Sequence, residues 1–207
     1  MLLFHQIFDT RQRYVYYFHI QEEMSMYQGT NPTALQSQKW ITESLIKLMS
    51  VKPYHQITIM DICKQADLSR QTFYNVFDKK EDILRFSLQN SCEEQLSPLM
   101  HQERTSFPEI VSALAGVLEE NEELLSMMIN NNLEGIILDI IAKSITMVTD
   151  SFVKNERKKE LLPYSKTMVS GALAHLIVYW FRQENPVSIE QLTDLILEFL
   201  NGKLLEL

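Results

Sequence analysis

Between Ile57 and Leu84 the chain places helix caps, short apolar repeats and a turn so close together that little but a small helical module accommodates them. Thr58, with Asp61 three residues on, is a capping pair, and Ile59, Ile62 and Cys63 give the helix it opens one inward face, ending at Ala66. Ala66 is small where two helices must approach. Asp67-Leu68 predicts a turn with Leu68 plugged into the core, and Ser69 caps a further helix to about Val76. Phe73 and Phe77 are its buried anchors. Asp78 and Glu81 predict a reciprocal capping box for the next helix, from which Ile83 and Leu84 close the core. Two short helices joined at a steep angle by a tight turn make a helix-turn-helix.

What this arrangement leaves outside is chemically specific. Ser69, Arg70, Gln71, Thr72, Tyr74 and Asn75 cluster on the exposed side of the second helix. Arg is suited to guanine, and Gln or Asn to adenine, through paired hydrogen bonds in the major groove. Thr58, Tyr74 and Lys80 are candidates for phosphate contacts that fix the register. The expected partner is therefore double-stranded operator DNA.

The same stretch, ITIMDICKQADLSRQTFYNVFDKKEDIL, closely resembles the signature of TetR-family transcriptional regulators. Thr58, Ile62, Ala66-Asp67-Leu68-Ser69, Thr72-Phe73-Tyr74, Phe77 and Lys80-Glu81-Asp82-Ile83-Leu84 carry the likeness, which covers Ala34 to Phe86. Resemblance implies an all-helical homodimer with an N-terminal reading module and a C-terminal ligand-sensing, dimer-forming body. It also puts Arg70, Gln71, Thr72, Tyr74 and Asn75 at operator-contacting positions, and Thr58 and Lys80 at phosphate-contacting ones. Two positions depart: Asp67 stands where glycine is common, and Gln71 where a small residue is common.

The rest of the chain reads as helices too. Asn31 and Pro32 open one carrying Trp40, Ile41, Leu45, Leu48 and Met49, which Pro53 ends. Further helices are expected at Phe107–Glu119, Glu122–Asn130, Leu133–Phe152 and Pro163–Arg182, and a last one capped by Ser188 and Gln191. Lys154–Glu160 should be an exposed connection. The predicted class is all-α: an N-terminal three-helix helix-turn-helix domain (31–90) followed by a helical effector-binding and dimerisation domain (91–207). Residues 1–30 are aromatic-rich without a clean period. They are either an extension or an over-long reading frame whose natural start is Met24 or Met26.

The net charge of -8 argues against nucleic acid until it is located. Residues 31–90 hold eight Lys and Arg against six acids, whereas 91–207 hold nine against eighteen. DNA meets a face and not an average, so a basic head on an acidic body suits it. Cys63 and Cys92 are expected as buried free thiols in a cytoplasmic protein. No apolar run is long enough for a membrane span, and no signal peptide is evident.

In the body, Gly171, Ala172 and Ala174 suit close helix packing. The stripe Val169, Leu173, Leu176, Ile177, with Leu192, Leu195, Ile196 and Phe199 on the last helix, is the expected homodimer interface. Met127, Met128, Ile137, Ile141, Ile145, Met147, His175, Tyr179 and Trp180 are candidates to line a small-molecule effector pocket, with Glu134 and Asp139 placed to orient a cation. The run Asn130-Asn131-Asn132 reads as a loop. His5, His19, His55, His101 and His175 lack metal-ligand spacing, and no phosphate loop or nucleophile motif occurs. No metal, no cofactor and no enzymatic activity are expected. The function these readings imply is a homodimeric repressor released by an effector. Its alternatives are an activator, a regulator controlled by a partner protein, or a helical interaction module that has lost DNA binding.

Overall fold

The computed structural model describes residues 26–100, 106–152 and 160–200. Helix α1 spans Pro32–Met49; the Asn31 side chain accepts from the Thr33 N–H at 2.9 Å, and proline takes the first turn. Ile41, Leu45 and Met49 form its buried face, while Trp40 points away and stays 47% exposed, outside the stripe the spacing suggested. A 3-10 turn at Tyr54–Gln56 leads into α2, Ile59–Ala66, which opens on the expected Thr58–Asp61 box. Asp67 then takes a left-handed conformation (φ 54°), which Asp tolerates better than most residues, so the common glycine is dispensable here.

Helix α3, Arg70–Tyr74, is shorter than predicted. Its C-cap is Asn75, after which Val76 and Phe77 drop into the core instead of extending the helix. Helix α4, Lys80–Met100, starts one residue later than the Asp78–Glu81 reading requires. The carboxylate that reaches back is Asp82, accepting from the Lys79 N–H at 3.0 Å. Glu81 instead accepts the Tyr54 hydroxyl at 2.8 Å. Three acids within one turn offered two registers, and the tertiary contact of Glu81 decides between them.

The remaining helices are α5 (Phe107–Glu120), α6 (Glu122–Asn130), α7 (Glu134–Phe152), α8 (Leu162–Phe181) and α9 (Ile189–Leu200). Ser188 caps α9 as expected: Gln191 and Ser188 exchange side-chain-to-backbone bonds of 3.1 and 3.2 Å. α4 is the spine. Its Ile83, Leu84 and Leu88 pack with α1–α3, and its Cys92 and Leu96 belong to the same core as α5 and α7. Cys63 and Cys92 are buried free thiols. The aromatic run before Met24 and most of Lys154–Glu160 (residues 153–159) lie outside the described residues, as do His5, His19 and His101.

The residues of the expected dimer stripe divide between core and surface. Leu173, Ile177, Leu192 and Ile196 are buried within the chain's own core, against α5 and α7, and Val169 and Leu176 are partly buried there. Of the predicted dimer stripe only Leu195 and Phe199 are exposed, and the exposed apolar residues of α8 are Tyr164, Met168 and Tyr179. α8 is apolar nearly all round, so periodicity could not say which face turns inward. Gly171 also faces open space.

Candidate nucleic-acid interface

Phe73, fully buried, and Phe77, 1% exposed, nail α3 to the core. Their rings lie 6.1 Å apart, and Phe77 meets Phe86 of α4 edge-on at 5.6 Å. With that face fixed, the helical period turns Arg70, Gln71, Tyr74 and Asn75 outward, all exposed, and Thr72 lies at the margin. The Arg70 guanidinium sits 5.9 Å from the centre of the Tyr74 ring, so the cation is held over its own helix. Ser69 is occupied as the cap: its Oγ accepts from the Thr72 N–H at 3.0 Å and pairs with the Thr72 hydroxyl at 2.9 Å.

The N-terminus of α2 is knotted by one carboxylate. Asp61 Oδ2 accepts from the Thr58 N–H, the Thr58 hydroxyl and Lys52 Nζ, each at 2.8 Å, and Asp61 N–H returns a bond to Thr58 Oγ1 at 3.1 Å. The Lys52 ammonium, then the Thr58 donors, hold this carboxyl well below the usual carboxylate range. Lys80, the other expected phosphate contact, is tied into the module. Its Nζ donates to the Tyr54 and Ile57 carbonyls, both at 2.9 Å, and lies 4.1 Å from the Tyr54 ring centre. Burial, then the bond to Glu81, pushes the Tyr54 hydroxyl upward, and burial raises Asp82, partly offset by the Lys79 N–H.

Three supporting groups escaped the sequence reading. Met26 forms an antiparallel bridge with Phe77, and the Tyr27 N–H donates to the Val76 carbonyl at 3.2 Å. Gln38, fully buried, donates Nε2 to the Tyr27 carbonyl at 2.9 Å and so ties this segment to α1. A glutamine spaced with Ile41 and Leu45 on an apolar face was the available signal. The third, Tyr54, donates its N–H to the Asn131 side-chain oxygen at 2.8 Å, which brings the α6–α7 turn against the module.

In the body, α4, α5, α7, α8 and α9 enclose a cavity of about 340 Å³. Of the predicted effector residues, Ile137, Ile141 and Ile145 line it. Met127 and Met128 pack into the core beside it, and Trp180 is pinned to the Val187 carbonyl at 2.7 Å. His175 and Tyr179 are exposed on α8, with His175 Nδ1 2.8 Å from the Gly171 carbonyl; the Met147 side chain lies outside the description. Glu134 and Asp139, expected to orient a cation, pair with Arg182 and, at 3.1 Å, with Arg85. The sequence missed the α4 and α5 walls, because a cavity assembled from separate helices leaves no local spacing.

Residues 41–85 match the family described as bacterial regulatory proteins, tetR family. That stretch is a DNA-binding domain of the TetR-family type. Over 61 residues it is 38% identical to the HTH-type dhaKLM operon transcriptional activator DhaS of Lactococcus lactis; the match spans 30% of this chain and 33% of that activator's length. A solved dihydroxyacetone kinase operon activator DhaS shares 22% identity, with a TM-score of 0.57 over 82% of this chain and 96% of that one. The Listeria innocua protein Lin0861 aligns with a TM-score of 0.69 at 17% identity, over 85% and 95% of the two chains. These structural likenesses establish a TetR-type all-helical fold. Regulators of the TetR family are DNA-binding proteins and not enzymes. Among the described residues no cluster of His, Cys, Asp or Glu forms a metal site, and no helix is long and apolar enough to cross a membrane.

Proposed function

We propose that this chain binds a two-fold operator as a homodimer through residues 31–90 and represses transcription there. A small molecule filling the cavity of residues 91–207 then releases it. The outer face of α3 carries this reading: Arg70, Gln71, Tyr74 and Asn75 are exposed together on a helix whose other side is locked by Phe73. Thr58 and Ser69 cap the two helices of the motif, so their roles at the DNA are to aim backbone N–H groups at phosphates. Lys80 acts by holding the Tyr54–Ile57 segment in place. Release is a population shift: the liganded body favours a separation of the two heads that no longer fits both half-sites.

A second reading, activation, is favoured by one observation, the printed name of the Lactococcus lactis relative as a transcriptional activator. Loss of the gene raises transcription from the bound promoter under the first reading and lowers it under the second.

Footprinting followed by binding titrations over a salt series tests the DNA reading. Affinity should fall steeply with salt as phosphate contacts release counterions. Arg70→Ala and Gln71→Ala should each cost about 1–3 kcal/mol and flatten sequence preference, while Tyr74→Ala weakens every duplex alike. Wild-type operator affinity in all three variants would remove the proposed reading face.

A further inference from the structure

The segment that leads into α1 closes on the far end of the reading helix. Helix α3 has five residues, too few to hold a shape or a direction by its own hydrogen bonds. Its entry is fixed by the Ser69 cap and its middle by Phe73. Its exit is fixed from outside the motif: Met26 bridges to Phe77, and the Tyr27 N–H donates to the Val76 carbonyl at 3.2 Å. That carbonyl lies beyond the C-cap Asn75, where the helix itself offers no donor. Tyr27 is in turn held at two further points. Its carbonyl accepts from Gln38 Nε2 and its hydroxyl from the Asn31 N–H, both at 2.9 Å. These partners are the second turn of α1 and its N-cap. The ring folds back over Gly29, where a Cβ would overlap the hydroxyl oxygen and Cζ.

Gln38 indicates what this arrangement is for. It is fully buried, and among the described residues its Oε1 has no hydrogen-bond partner. A buried acceptor left unpaired destabilises, so an apolar side chain of the same size would serve the core better. The glutamine's bond goes to Tyr27, and fixing a single position is the role best attested for a costly buried polar group. We propose that Tyr27 is a positioning residue for DNA reading. Clamped to α1 by Gln38 and Asn31, it fixes the exit of α3 and so the angle at which Arg70, Gln71 and Asn75 enter the major groove. This rests on the reading face proposed above. Hydrogen bonds to base edges demand that angle, whereas attraction to phosphates tolerates a tilt. The clamp therefore governs discrimination between sequences more than the overall grip on DNA.

Titration of the full chain with its footprinted operator and with an unrelated duplex of equal length, at one salt concentration, tests the assignment; thermal melts run alongside. Gln38→Met keeps the buried volume and removes the donor. It should lower the ratio of operator to unrelated affinity about tenfold, leave unrelated affinity within about twofold, and melt near the wild-type temperature. Gly29→Ala, which drives the ring off its seat, should lower the same ratio. Tyr27→Phe retains the ring and both backbone bonds and should keep the ratio within about threefold of wild type. A wild-type ratio in both Gln38→Met and Gly29→Ala overturns the positioning role. So does a fall in both affinities that merely follows a lowered melting temperature, the result a purely structural residue would give. Arg70→Ala separates the two readings. If it lowers the ratio while the Gln38 and Gly29 variants do not, the reading face stands and the clamp is wrong. If Arg70→Ala also keeps the ratio, the reading face fails and the clamp with it.

Discussion

Asp61 works through one oxygen that serves the backbone, a hydroxyl and a lysine at once. Because the Lys52 ammonium and the Thr58 donors depress its pKa in the folded chain, it contributes stability with a definite pH dependence. The contribution is complete above the range near pH 4 in which an unfolded aspartate titrates, and it is lost as pH falls toward the depressed folded value. Asp61→Asn should therefore melt lower than wild type at pH 7, and the gap should shrink steadily as the acid limb is descended below about pH 4. Thermal melts of both proteins across that range check it; a gap that stays constant would mean the carboxylate's charge is irrelevant. The Thr58–Asp61 cap was legible in the sequence because it is local, a hydroxyl and a carboxylate three residues apart. Lys52 was not, since it arrives across a proline-terminated turn. Lys80, expected from its position as a phosphate contact, donates to the Tyr54 and Ile57 carbonyls, a tertiary contact that no local spacing announces.

At the level of helices, periodicity located each segment to within one or two residues, but not which faces meet. The α6–α7 turn is the clearest case. Asn131 was read as part of a polar loop, and Asn132 does adopt a left-handed conformation (φ 57°), but Asn131 also reaches Tyr54, seventy-seven positions away. One turn of α4 further on, Arg85 pairs with Asp139 of α7 at 3.1 Å, with side chains 21% and 33% exposed. These two contacts bind α7, a wall of the cavity, to the segment that supports α2 and α3. A double-mutant cycle on Arg85→Ala and Asp139→Ala should give a coupling of about 1 kcal/mol in urea unfolding, at the upper end for exposed pairs because both groups are partly shielded. Additive single losses would mean that the pair does not link the helices energetically. No sequence signal marks either contact, because both join segments far apart in the chain.

For the whole molecule, the decisive quantity is what it leaves uncovered. Core formation uses Leu173, Ile177, Leu192 and Ile196, yet Tyr164 (75% exposed), Met168 (67%) and Tyr179 (64%) on α8 and Phe199 (47%) on α9 remain open to solvent. Exposed apolar groups on these two helices are where the proposed homodimer would form. A two-fold pairing of α8 and α9 with their copies would cover them in a four-helix arrangement and set two α3 helices at one separation. Met168→Glu with Tyr179→Glu puts four like charges into that surface per dimer and touches nothing in the core. The variant should sediment as a monomer and keep its melting temperature at equal chain concentration, apart from the part that dimerisation itself supplies. Operator affinity should drop by about 10²–10⁴-fold, because the second half-site is no longer delivered by a tethered partner. An isolated half-site should be bound as before, which separates lost pairing from a damaged reading helix. If the double variant stays dimeric, the α8–α9 outer face is not the interface. The same sedimentation data would then direct attention to the exposed Trp40 on α1 and the neighbouring Leu35.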